Sequence, residues 1–204
     1  MKVHNSYKYG IVSLVVAIFF FTGCTYVLKT SEIPTLQTGS PLRGVAPKTF
    51  AFKEFKDVRN VTDPLLIRDA GLIPGTHTYI LEQPPAVLVA MWMKKELERN
   101  GHKCVTFSSD VKADFIVDGS IYKYEFILIS GITGTHAANT AVKIMISRVP
   151  TATGVFIKNY NGSFNGSPNS LGWLDVFKDA FDRANLSMIK EISTDTELIE
   201  FIKK

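Results

Sequence analysis

The sequence predicts an α/β fold, α+β-like in its element order. It is a two-layer sandwich with a mixed, largely antiparallel sheet and helices mainly on one face. Three observations predict it. A stretch of helical period at 85–100 stands between two strand-like runs. From Ala113 to Phe164 the pattern changes to alternation, in three successive runs with short connections, which describes an antiparallel meander. From Leu174 onward the apolar spacing returns to three and four, so the closing helices have a stripe with which to cover a sheet.

The first strand is "KTFAFKEF" (Lys48 to Phe55), where Phe50, Phe52 and Phe55 stand against Lys53 and Glu54. The next stretch is punctuated by Asp63-Pro64, Pro74-Gly75 and Pro84-Pro85 and offers one short strand, "THTYIL" (Thr76 to Leu81). Pro85 to Asn100 predicts a helix: proline in the first turn, Gly101 at the left-handed cap, and Lys94, Lys95 and Arg99 towards the negative end. Ala86, Ala90, Met93 and Leu97 would face the sheet, with Trp92 on another face. "HKCVTF" follows as a strand. In "ADFIVDGSIYKYEFILIS", Phe115, Val117 and Ile121 oppose Asp118 and Ser120, Gly119 marks a bulge, and Tyr122, Tyr124 and Phe126 share a face. "FILIS" is apolar on both faces; burial beneath helices is the plain reading, and a partner-binding patch on the uncovered sheet face is the other.

After the loop "GITGTHAAN", Val142, Ile144 and Ile146 alternate with Lys143, Met145 and Ser147. "TATG" is a turn, and "VFIKNYNGSF" sets Phe156, Tyr160 and Phe164 on one face. Gly162 reads as a strand bulge and Asn165-Gly166 as the strand's end. The long helix is capped by Asn169 or Ser170 and carries the stripe Leu174, Phe177, Phe181, Ala184 and Met188. Thr194 and Glu197 are spaced as the capping box of a last short helix.

The amino terminus has its own logic. Ile11 to Phe21 is apolar except for Ser13, follows Lys2 and Lys8, and leads into Thr22 and Gly23. A membrane-spanning helix takes about 20 apolar residues. A positive start, a short apolar run and a small-residue exit describe a signal peptide over residues 1–23. "Phe21-Thr22-Gly23-Cys24" resembles the bacterial lipobox, with Phe where that motif favours Leu. The resemblance implies that the Cys24 thiol takes a diacylglycerol, that cleavage falls just before it, and that an N-acyl chain follows. This covalent lipid is the only group expected; no cofactor or metal is. Thr25, in the place where an Asp retains enterobacterial-type lipoproteins in the inner membrane, implies the outer membrane by the same similarity.

Removing 1–23 leaves 181 of 204 residues, enough for one domain with a proper core. Lys2 and Lys8 leave with it, so the formal charge falls from +4 to +2. With no Lys/Arg block, nucleic-acid binding has no electrostatic footprint. Residues 24–48 carry Pro34, Pro41 and Pro47 and no helical period, and read as the lipidated cysteine and a flexible tether, roughly 80 Å long when extended. Residues 49–204 form a single periplasmic domain.

Chemistry is sparse. "SIYK" (Ser120 to Lys123) spells S-x-x-K, but on a strand those two side chains point to opposite faces. His4 leaves with the signal peptide; His77, His102 and His136 are scattered, with no H-E-x-x-H or C-x-x-C. His102 reads as a cap or surface residue and His136 as an exposed hairpin-tip residue rather than a loop ligand. "GITGTH" lacks the Gly-Lys-Ser/Thr of a phosphate loop. Asp110, Asp114 and Asp118 do not converge on loop and strand. Asp57 and Arg59 read as a structural or solvated pair, Cys104 as a small buried hydrophobe, and Asn161-Gly162-Ser163 as turn chemistry rather than a glycosylation site.

The chain resembles the YajG-like bacterial outer-membrane lipoproteins over roughly Phe50 to Lys204. "LERNGHK", "ADFIVDGSIYKYE", "KNYNGSF" and "STDTELIEFIKK" carry the resemblance, together with the lipobox at Cys24. It implies a lipid-anchored periplasmic domain without a recognised enzymatic activity. The element order also looks like the small α/β domains of the TolB amino-terminal, curli-secretion and penicillin-binding-protein-activator lipoprotein group, an analogy of fold alone. The expectation is a non-catalytic domain, held to the membrane by its lipid, that binds another envelope protein. The alternatives are an auxiliary subunit of an envelope transport or secretion assembly, or a periplasmic hydrolase built around Thr62–Pro85.

Overall fold

A computed structural model describes residues 24–28, 40–63, 65–67, 77–129, 135–149, 154–166 and 173–204. In chain order the elements are β1 (Cys24–Leu28), a 3-10 turn (Pro41–Gly44), β2 (Thr49–Phe52), β3 (Lys56–Asp57), β4 (Leu66–Ile67), β5 (His77–Leu81), α1 (Pro85–Arg99), β6 (Lys103–Thr106), β7 (Phe115–Ile129), β8 (Thr135–Arg148), β9 (Val155–Gly166), α2 (Trp173–Thr194) and α3 (Thr196–Lys203). The large sheet runs β6-β2-β7-β8-β9, with β3 continuing β2 along the same edge of β7. Its β6-β2-β7 half is parallel and its β7-β8-β9 half is the expected antiparallel meander. A smaller sheet, β1-β5-β4, is mixed. α1 packs over β6 and β7, α2 over β8 and β9, and the two helices touch each other. The fold is the α/β sandwich that the sequence predicts.

Most elements form where their period places them. Phe50, Phe52 and Phe55 are all buried, as are Phe177, Phe181, Ala184 and Met188 of the α2 stripe. Phe126 stacks on Phe177 at 3.8 Å between centroids and Tyr124 on Phe181 at 4.7 Å, joining sheet to helix. Each such ring removed from water contributes about 1.5–3 kcal/mol. α1 ends in the predicted left-handed cap. Gly101 has φ +91°; its N–H donates to Glu98 O, and the His102 N–H reaches back to Leu97 O at 3.1 Å.

Five expectations are corrected. The bulge in β7 is at Tyr122, not Gly119: the register against β8 shifts between Ile121 and Lys123. Because side chains alternate, one inserted residue switches the buried set from Phe115, Val117 and Ile121 to Tyr124 and Phe126 and turns Tyr122 outward. Gly119 instead makes room for the Phe55 ring, whose Cδ2 lies 2.5 Å from where a Cβ would be. Gly162 is no bulge either. It pairs regularly with Thr140, and a Cβ there would collide with the Ala184 carbonyl of α2.

On α1, Trp92 is buried and Ala90 only half-buried. The helix is covered on two sides, by the sheet and by α2: Leu42 of the 3-10 turn and Ile189 of α2 line the same small cavity as Met93, so the buried arc is wider than one stripe. α3 is capped by Asp195, not Thr194. The carboxylate accepts from the N–H groups of Glu197 and Leu198, whereas the Thr194 hydroxyl donates back to Lys190 O within α2.

The fifth correction concerns the tether. Pro41 does not break structure but starts the 3-10 turn, with Ser40 as its cap, and Leu42 is 1 % exposed. Leu28, Leu42 and Val45 all belong to the core. Of the segment expected to be flexible, 29–39 lies outside the described residues; 24–28 and 40–48 lie in the fold. The signal peptide at 1–23, the Asn169 or Ser170 cap, the hairpin tip at 130–134 and most of "TATG" also lie outside them.

Candidate functional site

Cys24 is the first residue of β1, and β1 pairs in parallel with β5, Cys24 beside His77 and Leu28 beside Leu81. The Glu82 N–H donates to Leu28 O at 3.1 Å and locks the far end. The strand also lies against α2. A group attached to Cys24 is therefore joined to the folded body without an intervening linker. Among the described residues no helix is long and apolar enough to cross a membrane.

The other sequence candidates stay apart. Ser120 and Lys123 lie on either side of the β7 bulge, which puts both on the face away from the helices and corrects the expectation of opposite faces, but Lys123 Nζ is paired with Glu125 at 2.9 Å and not with the serine. His77 is in the small sheet, while His102 is buried at the end of α1. The His102 Nδ1 accepts from the Lys48 N–H at 3.3 Å, and its ring stands edge-on to Phe50. Burial lowers its pKa, which keeps the imidazole neutral. His136 is not at a hairpin tip. β8 begins at Thr135, and the ring is 4 % exposed between Phe126 and Phe164. Burial is the main cause of its lowered pKa, with Asp179 raising it and Arg183 lowering it.

Asp114 accepts from the Thr49 N–H at 2.7 Å and Asp118 faces Lys53 at 3.9 Å, so the two tie the start of β7 to the two ends of β2 and do not converge on one site. Asp57 and Arg59 form a two-pronged pair at 2.7 and 2.9 Å, and Arg59 also donates to Tyr124 O. This pair ties β3 to β7. Cys104 is half-buried and its Sγ faces Lys94 O at 3.6 Å. Burial, with Glu98 adding to it, pushes the thiol up to about 12, so it is held as the neutral thiol. Among the described residues no group of three His, Cys, Asp or Glu side chains is placed to hold a metal ion.

One polar cluster escapes the sequence reading. The buried Tyr160 hydroxyl donates to Asp195 Oδ2 at 2.6 Å. Lys158 Nζ lies 3.0 Å from both Asp195 and Glu197. Burial works to raise the Asp195 carboxyl, but the bonds from Tyr160, Lys158 and the Leu198 and Glu197 N–H groups outweigh it and hold the pKa below the ordinary value. Burial and the adjacent carboxylate raise Tyr160 far out of the working range. The cluster is a clamp between β9 and α3, with neither a free base nor a nucleophile. Its signal was present in the sequence: a tyrosine inside a Phe156–Phe164 stripe needs a buried partner for its hydroxyl.

An open groove of about 510 Å³ runs between α1 and the carboxyl ends of β2 and β6. Phe52, Phe55 and Met91 give it apolar walls, and Lys53, Lys94 and Lys95 stand along it with Glu54 and Glu98. Lys94 Nζ sits 5.2 Å from the Phe52 ring and Lys53 Nζ 5.5 Å from the Phe107 ring.

No family model matches the chain, and no curated protein matches it. Among solved structures it is similar to a DUF330 protein from Xanthomonas campestris, at 13 % identity and a TM-score of 0.49, covering 89 % of this chain and 95 % of that one. It is also similar to PelC from Paraburkholderia phytofirmans, a dodecamer, at 10 % identity and a TM-score of 0.39, covering 76 % and 92 %. A third is a putative lipoprotein from Caulobacter crescentus, at 8 % identity and a TM-score of 0.41, covering 73 % and 90 %. At these identities and scores they assign no role to any residue here. The YajG-like resemblance rests on its quoted motifs alone.

Proposed function

We propose that the chain is a lipoprotein of the bacterial envelope, attached through a diacylglyceryl thioether on Cys24, whose domain binds another envelope component and catalyses no reaction. The observation that carries the reading is the order of the first 24 residues: two lysines, a short apolar run, Thr22-Gly23, then Cys24. A thioether-linked diacylglycerol with an N-acyl chain gives durable attachment, where a single chain gives only marginal binding. Thr25 favours the outer membrane, with the domain in the periplasm. The start of β1 at Cys24 supports close seating: the β1–β5 edge lies at the lipid surface rather than tens of ångströms above it. The groove beside α1, with apolar walls and three lysines, is the surface offered to the partner.

The test is fractionation of the full chain and its Cys24→Ser variant, followed by in-cell crosslinking through the groove. Wild type is expected in the outer-membrane fraction and the variant not. A variant that fractionates like wild type overturns the anchor. An intact anchor with no protein crosslinked at Lys94 or Lys95 overturns the binding role and leaves the anchor standing.

A further inference from the structure

β9 is the last strand of the large sheet, and among the described residues no strand pairs with its outer edge. The edge is 12 residues long. Its register against β8 is regular from Val155 to Gly166, so its backbone groups alternate between β8 and the outside. Two contacts fix which are outward. The Gly154 carbonyl accepts from Arg148 of β8, whereas the Asn161 N–H donates away from β8, to Glu191 Oε2 at 3.1 Å. By the same alternation Val155, Ile157 and Asn159 present both N–H and C=O to the outside.

Proteins protect a free edge with shortness, lysines, prolines or a bulge. The opposite edge, β6, is only 4 residues long and begins with the exposed Lys103. The Val155–Asn159 edge has none of these devices. Lys158 alternates to the helix-covered face, where Asp195 and Glu197 hold it. The side chains beside the edge carry no charge, and Val155 and Ile157 are 52 % and 55 % exposed. Ile157 lies beside Met145 on the sheet face away from the helices.

We propose that β9 pairs antiparallel with β9 of a second copy of this chain, across a twofold axis at Ile157. Ile157 then meets its own counterpart and Val155 meets Asn159. About six backbone hydrogen bonds form, and the two Ile157 and two Met145 side chains close into one apolar cluster. Two features select a second copy as the occupant. On the face away from the helices its side chains, Val155, Ile157 and Asn159, are uncharged, and Lys158 on the other face is neutralised by Asp195 and Glu197, so identical strands meet without unbalanced like charge across the pair and that face offers no ion-pair partner to a different protein. Its outward groups are also self-complementary about Ile157, and such an interface closes at two copies. Glu191 on the Asn161 N–H ends the paired stretch. The twofold axis runs perpendicular to the sheet, so two sheets become one with all helices on the same side.

The test uses the full chain in membranes of the expressing cell. Ile157→Cys places two cysteines opposite each other, with Cα atoms about 5.5 Å apart, within disulfide range. Asn165→Cys places its two copies roughly 50 Å apart. Mild oxidation is expected to convert most of Ile157→Cys to a dimer and Asn165→Cys to less than a tenth of that. Adding Ile157→Lys to wild type is expected to reduce the detergent-solubilised protein from dimer to monomer by sedimentation, with its melting temperature within about 2 °C of the parent. No dimer with Ile157→Cys, equal dimer with Asn165→Cys, or an Ile157→Lys protein that keeps the wild-type size would each overturn the pairing.

Discussion

Replacing Gly162 by alanine should unfold the protein at a much lower temperature, although one methyl is added and no interaction is removed. Gly162 lies in β9 beneath α2, and the added Cβ would collide with the Ala184 carbonyl and lie 2.8 Å from Thr140 Oγ1. Ala184 is fully buried in the middle of a 22-residue helix, so the obstacle is backbone and cannot rotate aside. α2 must shift as a body away from the sheet on which Phe177, Phe181 and Met188 rest. Overpacking of this kind costs about 3 kcal/mol, the upper part of its usual range. At about 2–4 °C per kcal/mol for a domain of this size, the melting point falls by about 6–12 °C. Two other glycines calibrate the measurement. Gly101→Ala keeps open space but strains a φ of +91°, which costs about 1 kcal/mol net of the alanine's stiffer unfolded chain. Gly44→Ala meets nothing within 4 Å and has no positive φ, so it is neutral or stabilising by up to about 1 kcal/mol. Thermal unfolding followed by circular dichroism gives the order directly. A Gly162→Ala protein melting within 2 °C of wild type would refute the close approach of α2 to β9.

Other outcomes follow from the polar interior. Tyr160→Phe deletes the 2.6 Å bond to Asp195 and should cost about 1.5–3 kcal/mol, read as a shift in urea midpoint; no shift would dissolve the clamp. Because the Asp195 pKa is lowered, its contribution is complete above the ordinary carboxylate value of 3.8 and is lost as pH falls through the lowered one. The histidines act in a higher window. Their folded pKa values lie below 6.5, so stability is full above 6.5 and declines as acidification charges the unfolded chain first. His136→Phe should flatten the fall in melting temperature between pH 7 and pH 5, and an unchanged slope would exclude His136 as a contributor. In the Cys24→Ser background, Cys104 should react with a thiol reagent at pH 8 at least about tenfold more slowly in the folded protein than in urea, since its raised pKa lowers the thiolate fraction and higher intrinsic nucleophilicity offsets only part of that; equal rates would show an accessible thiolate.

Periodicity was legible wherever one face of an element is buried by one neighbour. The α2 stripe, the Val142-Ile144-Ile146 alternation and the Gly101 cap are local patterns with local causes. What could not be read depends on contacts distant in sequence. The bulge at Tyr122 is a matter of pairing register with β8, and alternation alone assigns Tyr122, Tyr124 and Phe126 to one face. His136 is buried between Phe126 of β7 and Phe164 of β9, and Trp92 is buried although it stands outside the predicted stripe of α1. Leu28 and Leu42 sit among prolines and small polar residues, a composition that describes a tether until a second strand or a helix surface covers them. The candidate site divides in the same way. Cys24 stands in a contiguous motif, whereas the Tyr160–Asp195–Lys158 clamp and the β9 edge, unpaired among the described residues, exist only once strands and helices are assembled.

The chemistry of Cys24 decides how the protein is held, and mass spectrometry of the amino-terminal peptide from purified membranes examines it most directly. The predicted result is a chain that begins at Cys24 and carries a diacylglyceryl thioether with an N-acyl group. A chain that retains residues 1–23, or one whose Cys24 is a free thiol, would contradict it.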